Sequence, residues 1–470
     1  MHQRIVFLLV GSLIFSLSFP NTSNCQTITF EKQIGRTTES GASVYQTRDG
    51  GYIITGTTQT WRYDDVYLVK TNAWGDTLWT KFFGGQFWDG GNSVQQTRDG
   101  GYIIAGLIDG GAGSGDIYLV KTDSTGEITW EKQFGGFGSG GGTSVQETLD
   151  GSYIVAGYEN YRGILIKTNV QGDTLWTRTF DGGAGNLVII NSLRQTSDGG
   201  YILTGSLHSN NQADVYLIKT NSLGETTWAK TYSGSGNENA ASVALTADEG
   251  YIITGGIYTY VSDPINIDIL LIKADANGDT VWTKTIDVSG IDQGASIQQC
   301  SDGGYILTGA TDSKVFLAKM AVNGDILWTK SFGGDDTSFG SEVQQTADGG
   351  FIIVGGINSD VYLVKTSADG LVSVEENISQ IIPKELQLFQ NYPNPFNPNT
   401  TIRFALQRPS FVSLKVYNTL GQEIAFLVSE NLAAGRYEVD WNASGQASGV
   451  YLYRLQAEEL VETKKLTIVR

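Results

Sequence analysis

Histidine and cysteine are almost missing from this chain of 470 residues, which holds His2, His208, Cys25 and Cys300 and no others. Clustered imidazole or thiolate sites for zinc, copper or non-haem iron need more ligands than that. A Ser-His-Asp triad can be built only on His208. Two cysteines do not make a disulfide framework. Proline is scarce, at 7 residues, while glycine reaches 60 and punctuates apolar runs, which is not a collagen or linker composition. Positive charge is short as well: 31 Lys and Arg against 49 Asp and Glu leave a net charge of −18. Such a polyanion repels phosphate backbones, so nucleic acid is excluded as a favoured partner.

Long apolar runs are missing beyond the N-terminus. The run at residues 5–19 follows a short basic start and is too short to span a bilayer as a helix, but suits the core of a secretory signal. Residues 1–25 are therefore read as a signal peptide. Cleavage before Gln26, with Ser23 and Cys25 at positions −3 and −1, competes with a poor lipobox that would acylate Cys25. Asn24 weighs against acylation. No transmembrane segment is expected after signal removal.

What is there in abundance is repetition. A unit of about 50 residues, exemplified by SVQQTRDGGYIIAG and DIYLVKTDSTGEITW, recurs seven times. Its turn aspartate stands at Asp49, Asp99, Asp150, Asp198, Asp248, Asp302 and Asp348, and its tryptophan at Trp79, Trp130, Trp176, Trp228, Trp282 and Trp328. Each unit reads as four short strands joined by tight turns, and the Asp-Gly step is a strong hairpin signal. Four antiparallel strands in a meander make a propeller blade, and one blade cannot bury both faces without neighbours. The tryptophans are read as packing between blades.

A ring of blades must close or expose sheet edges. In six units a third-strand lysine precedes the tryptophan by nine residues, but the ninth position after Lys365 is Val374. The segment TITFEKQIG near the N-terminus is an orphan fourth strand with Phe30 at the tryptophan position, so residues 27–34 are predicted to complete the last blade. The fold expected is all-β: a seven-bladed β-propeller over residues 26–374, a linker at 375–385 and a C-terminal Ig-like β-sandwich over 386–470. The repeats resemble the quinoprotein-type (PQQ-like) propeller family in architecture only, which implies no quinone cofactor.

The distance from turn aspartate to lysine varies, at 21, 22, 17, 21, 25, 17 and 17 residues, which puts the variation between the second and third strands. In a meander that connection emerges on the same face as the link between blades. One face is therefore invariant and the other diverse, and binding is expected on the diverse one. Its candidate binding residues are Trp61, Tyr63, Phe87, Trp88, Tyr158, Tyr161, Tyr258, Tyr260 and Phe339, aromatics that suit sugar stacking or a protein partner but also capping of blade ends. Acidic residues recur there too, at Asp64, Asp65, Asp109, Asp116, Asp335, Asp336 and Asp360. Paired carboxylates can serve a glycosidase without histidine, yet no pair stands out. No cofactor is predicted, with calcium at Asp335 and Asp336 the one metal candidate. A non-catalytic glycan- or protein-binding or structural module is the first reading, and a carboxylate-based polysaccharide hydrolase or lyase the alternative.

After residue 374 the composition changes to Asn-Pro turns and short alternating strands. The residues Asn391, Tyr392, Pro393, Asn394, Pro395 and Phe396, then Gly421, Gly435 and Gly449, and the terminal Lys464 and Lys465 carry a resemblance to the type A sorting domain of the type IX secretion system. That resemblance implies that the outer-membrane translocon is a partner, that the propeller is its cargo, and that the protein is secreted or held at the cell surface.

Overall fold

Alternating apolar residues between tight turns fold here into four-stranded antiparallel sheets, seven times over. The computed structural model describes residues 29–469 except 36–37, 60–63, 110, 112–114, 136–138, 184, 211, 235, 260–265, 289, 373–385, 392–393, 407–409, 433–434 and 458–459. The signal peptide, Cys25, Trp61, Tyr63, Tyr260, Tyr392 and Pro393 lie outside the described residues. Two units separate, residues 1–373 and 374–470.

In the first unit, blade 1 comprises Thr38–Gln46, Tyr52–Gln59, Asp64–Thr71 and Thr77–Phe83, paired in that order, and blades 2 to 6 repeat it. Blade 7 takes Ser338–Gln345, Phe351–Ile357 and Asp360–Thr366 from its own repeat. Its fourth strand is Phe30–Ile34, antiparallel to the third, with Phe30 opposite Lys365 and Ile34 opposite Val361. Trp79 stands opposite Lys70 in blade 1 in the same way, so Phe30 occupies the tryptophan position. The closure is reinforced by Tyr362, whose hydroxyl donates to Glu31, and by Lys32, which pairs with Asp76 of blade 1 at 2.9 Å.

Seven apolar clusters fill the seven junctions between blades. Burying each Val, Ile or Leu side chain there contributes about 1.5–3 kcal/mol. Each outer-strand aromatic meets the first aromatic of the next blade's second strand. Trp79 and Tyr102 have ring centroids 6.0 Å apart, Trp328 and Phe351 are 6.1 Å apart, and so are Phe30 and Tyr52. The same indole covers a turn glycine of the next blade. Gly126 has φ +82°, and a Cβ there would meet the Trp79 ring at 2.7 Å, so both backbone conformation and space demand glycine.

The face carrying the tight turns is built on a sevenfold ion pair. The third-strand lysine of every blade is buried and reaches back to the turn aspartate: Lys70 to Asp49, Lys121 to Asp99, Lys167 to Asp150, Lys219 to Asp198, Lys273 to Asp248, Lys319 to Asp302 and Lys365 to Asp348. A threonine two residues before the aspartate donates to the same carboxylate in six blades, and Cys300 stands in its place in blade 6. Burial works against each carboxylate's charge, but these bonds and the lysine's charge outweigh it and hold all seven pKa values low.

The second-to-third connections follow the spacings. Where the interval is 17 residues the strands turn through Asn160-Tyr161, Asp312-Ser313 and Asn358-Ser359, both residues of each pair having positive φ. In blade 4 the longer interval lengthens the hairpin rather than the loop, because Ser209 still pairs with Gln212.

The second unit is a sandwich of two antiparallel sheets, Gln387–Leu388, Asn399–Leu406 and Gly435–Asn442 in one, and Glu423–Leu432, Ser410–Tyr417, Gly449–Ala457 and Leu460–Ile468 in the other. Inward residues such as Phe404, Val412, Leu414, Tyr453, Leu455 and Leu466 form one core.

Candidate functional site

The diverse face of the propeller carries the second-to-third connections and the links between blades. A cleft on this face lies at the seam where the ring closes, between blades 7 and 1, with a volume of about 590 Å³. Thr38, Glu39 and Ser40 open the first strand of blade 1 on one side, and Thr337 and Phe339 stand on the other. Thr57 and Asp64 come from the second hairpin of blade 1, and Asn358 and Ser359 from the tight turn of blade 7. That turn is pinned to both sides, since Glu39 N–H donates to the Ser359 carbonyl at 2.6 Å and Asn358 N–H to the Thr337 carbonyl at 3.1 Å.

Phe339 pairs across the ladder with Gly356, and its ring lies on that glycine: a Cβ on Gly356 would come within 2.7 Å of it. The Cε1–Cζ edge of the ring abuts that glycine, and the side chain stays 43 % exposed. Burial pushes the Asp64 carboxyl above the usual carboxylate range. Glu39, which also lines the cleft, is buried. The cleft therefore combines a partly exposed aromatic ring, several hydroxyls and two carboxylates.

The other aromatic candidates are spread round the face. Phe87 and Trp88 lie in the link from blade 1 to blade 2, Trp88 being 63 % exposed, and the Phe87 ring packs on Gly111. Tyr161 is exposed in the turn of blade 3. Tyr158 and Tyr258 are half-buried within strands, and the Tyr258 hydroxyl accepts from Asn239 Nδ2 at 3.2 Å. Asp335 and Asp336 are exposed in the link into blade 7.

Sequence reasoning missed Glu39, Asp89, Asp214, Glu238, Asp268 and Asp292, although their fixed offsets from the turn aspartate and the lysine were present in the repeats. The ring places acids of adjacent blades together. Gly84, for example, lies against both Asp65 and Asp89.

In the second unit the Asn-Pro segment docks on the last strand. Asn391 is buried, its N–H donating to the Tyr453 hydroxyl at 2.9 Å and its side chain to Thr400 at 2.9 Å. Asn394 Oδ1 accepts from Thr467 N–H at 2.9 Å. Phe396 bridges to Ile468 and packs on Trp441 with centroids 5.7 Å apart. Pro395 lies between these two anchors. Gly421 takes φ +77° in the turn closed by Asn418 and Gln422, while Gly435 and Gly449 begin strands. Lys464 and Lys465 pair with Tyr453 and Leu452 in the outermost ladder.

The family of secretion system C-terminal sorting domains matches residues 390–469. No curated protein matches the sequence. Similar solved structures include PorZ, a surface component of the type-IX secretion system of Porphyromonas gingivalis, at 12% identity over 91% of this chain and 74% of that one, with a TM-score of 0.37. Sqt1 of Chaetomium thermophilum is similar at 10% identity over 70% of this chain and 96% of that one, with a TM-score of 0.46. YCF48 bound to D1 peptide is similar at 11% identity over 73% and 96%, with a TM-score of 0.45. No helix among the described residues is long and apolar enough to cross a membrane. The C-terminal unit is a type IX secretion sorting domain, and the chain is a β-propeller protein exported by that system, secreted or at the outer-membrane surface.

Proposed function

We propose that the propeller is a non-catalytic glycan-binding module of the cell exterior, with its binding site at the seam between blades 7 and 1. The observation that carries this reading is Phe339, packed against Gly356 and partly exposed at the edge of a cleft lined by Thr38, Ser40, Thr57 and Asp64. The apolar face of a sugar ring stacks on such an aromatic, while sugar hydroxyls donate to carboxylates and exchange bonds with threonine and serine. Residues 1–25 are removed as a signal, leaving the propeller as the sorting domain's cargo, handed to the translocon by residues 386–470.

A second reading, a carboxylate-based hydrolase or lyase at the same place, is favoured by the raised Asp64 carboxyl, which suits a general acid. A glycan array probed with the chain and with Phe339→Ala, followed by product analysis, separates the two. Binding without product, lost on Phe339→Ala, supports the module. Product formation abolished by Asp64→Asn supports the enzyme. Binding unaffected by Phe339→Ala overturns the placement of the site.

A further inference from the structure

Five residues before the buried lysine, the third strand carries Asp65, Asp116, Asp214, Asp268 and Asp360; ten before the turn aspartate, the first strand carries Glu39, Asp89, Glu238 and Asp292. The ring sets the first kind in one blade beside the second kind in the next. At the seam, a Cβ on Gly35 would meet Glu39 Oε2 at 2.5 Å and Asp360 Oδ1 at 2.6 Å, so the two carboxylates share one small space. The junctions of blades 3 and 4 and of blades 6 and 7 have neither acid: Arg162 and Val188 hold those positions in one, Lys314 and Ser338 in the other. Blade 2 offers Asp116 opposite Gly140.

The junction of blades 4 and 5 is the most enclosed. Gln212 Nε2 donates to the Gly236 carbonyl at 3.1 Å and Ala213 N–H to Asn237 Oδ1 at 2.9 Å, which sets Asp214 beside Glu238. Asp214 is 8 % exposed and Glu238 2 %. One Glu238 oxygen takes the Gly236 N–H at 3.1 Å. The other, Oε2, and Asp214 Oδ1 are buried with no hydrogen-bond partner. No lysine or arginine among the described residues pairs with either. At the next junction, ligand oxygens of Asp268, Asp287 and Asp292 all lie within 4.8 Å of one another, and Val288 N–H fixes Asp292 at 2.6 Å.

Buried carboxylate oxygens without donors are expensive, and two anions side by side are more so. A cation shared between blades removes both costs. The donor set is oxygen only, which suits calcium, a hard cation bound by oxygens at about 2.3–2.6 Å. We propose that Asp214 with Glu238, and Asp268 with Asp287 and Asp292, bind calcium ions that staple blade 4 to blade 5 and blade 5 to blade 6. A ligand shared in this way explains why both acids or neither occur at six of the seven junctions. Calcium at about 10⁻⁴–10⁻³ M is the working range of extracellular modules, which suits an exported protein.

The test is calorimetric titration of the EDTA-stripped full chain with calcium chloride, with thermal unfolding in parallel. The wild type is expected to show saturable binding and a raised midpoint. Asp214→Asn/Glu238→Gln loses one bound equivalent and, in EDTA, unfolds no earlier than the wild type because the repulsion is gone. Asp287→Asn changes an exposed ligand, leaves folding intact and loses the equivalent at the next junction. Asp335→Asn/Asp336→Asn keeps full stoichiometry. No binding by the wild type up to about 10 mM calcium, well above the extracellular range, overturns the proposal. So does unchanged stoichiometry in the first two variants, or magnesium binding as tightly as calcium.

Discussion

Lys365 Nζ lies 3.0 Å from the Asp348 carboxylate, with the lysine side chain 1 % exposed, in the blade that the N-terminal strand completes. The lysine also donates to the Thr366 carbonyl at 2.9 Å, so its charge is satisfied wholly within the fold. Breaking a buried pair from one side strands the other charge, at a cost of about 3–5 kcal/mol. Asp348→Asn is expected to lose stability of that order in denaturant melts, and Lys365→Met/Asp348→Asn to recover much of it. Asp150→Asn, where the aspartate side chain is 57 % exposed, loses less. A double variant no better than the single one would contradict this reading of the pair.

Acid stability follows from the same aspartates. Their folded pKa values lie below the free value of 3.8, with Asp198 at about 2, because bonds from Lys219, Thr196 and Gly200 outweigh burial. The unfolded chain then binds protons first as pH falls, so the stabilisation is complete above the unfolded pKa and lost on descending through the folded one. The stability deficit of Asp198→Asn should be constant above about pH 5 and close towards pH 2. Melts of both proteins across that interval check it. A deficit that grows as pH falls would refute it.

Cys300 replaces the threonine of the other six blades and is buried, and burial pushes its thiol up to about 11. It should resist thiol reagents in the native state and react at once on unfolding. Cys300→Thr restores the hydrogen bond to Asp302 that Thr346 makes to Asp348 at 2.5 Å. A gain of about 1 kcal/mol is expected in denaturant melts. A loss would mean that the pocket is shaped for sulfur.

Most of the propeller was legible because each blade is local. The Asp-Gly turns, the lysine nine residues before tryptophan and the orphan strand at Phe30 all lie within short windows. The sandwich was legible for the same reason, from alternation and Asn-Pro turns. The contacts that make the sites are not local. Asp214 and Glu238 belong to different repeats, and the seam cleft joins Glu39 to Ser359 across almost the whole propeller. Their offsets recur in the sequence, but nothing in a single repeat says which neighbour a carboxylate will meet. The turn aspartate read as turn geometry alone because its lysine partner lies 17 to 25 residues away, across a connection of variable length.

Ring closure underlies the seam sites, since the cleft, the Glu39–Asp360 junction and the seventh ion pair all sit in the last blade or at its seam. Deleting residues 26–35 removes the Phe30 contact with Tyr52, the ladder to Val361–Lys365 and the ion pair to Asp76. The direct test is the thermal midpoint of that truncated chain beside the intact one. A fall of about 10 °C or more is predicted, from two buried apolar side chains and a lost strand edge. An unchanged midpoint would contradict the closure and the sites built on it.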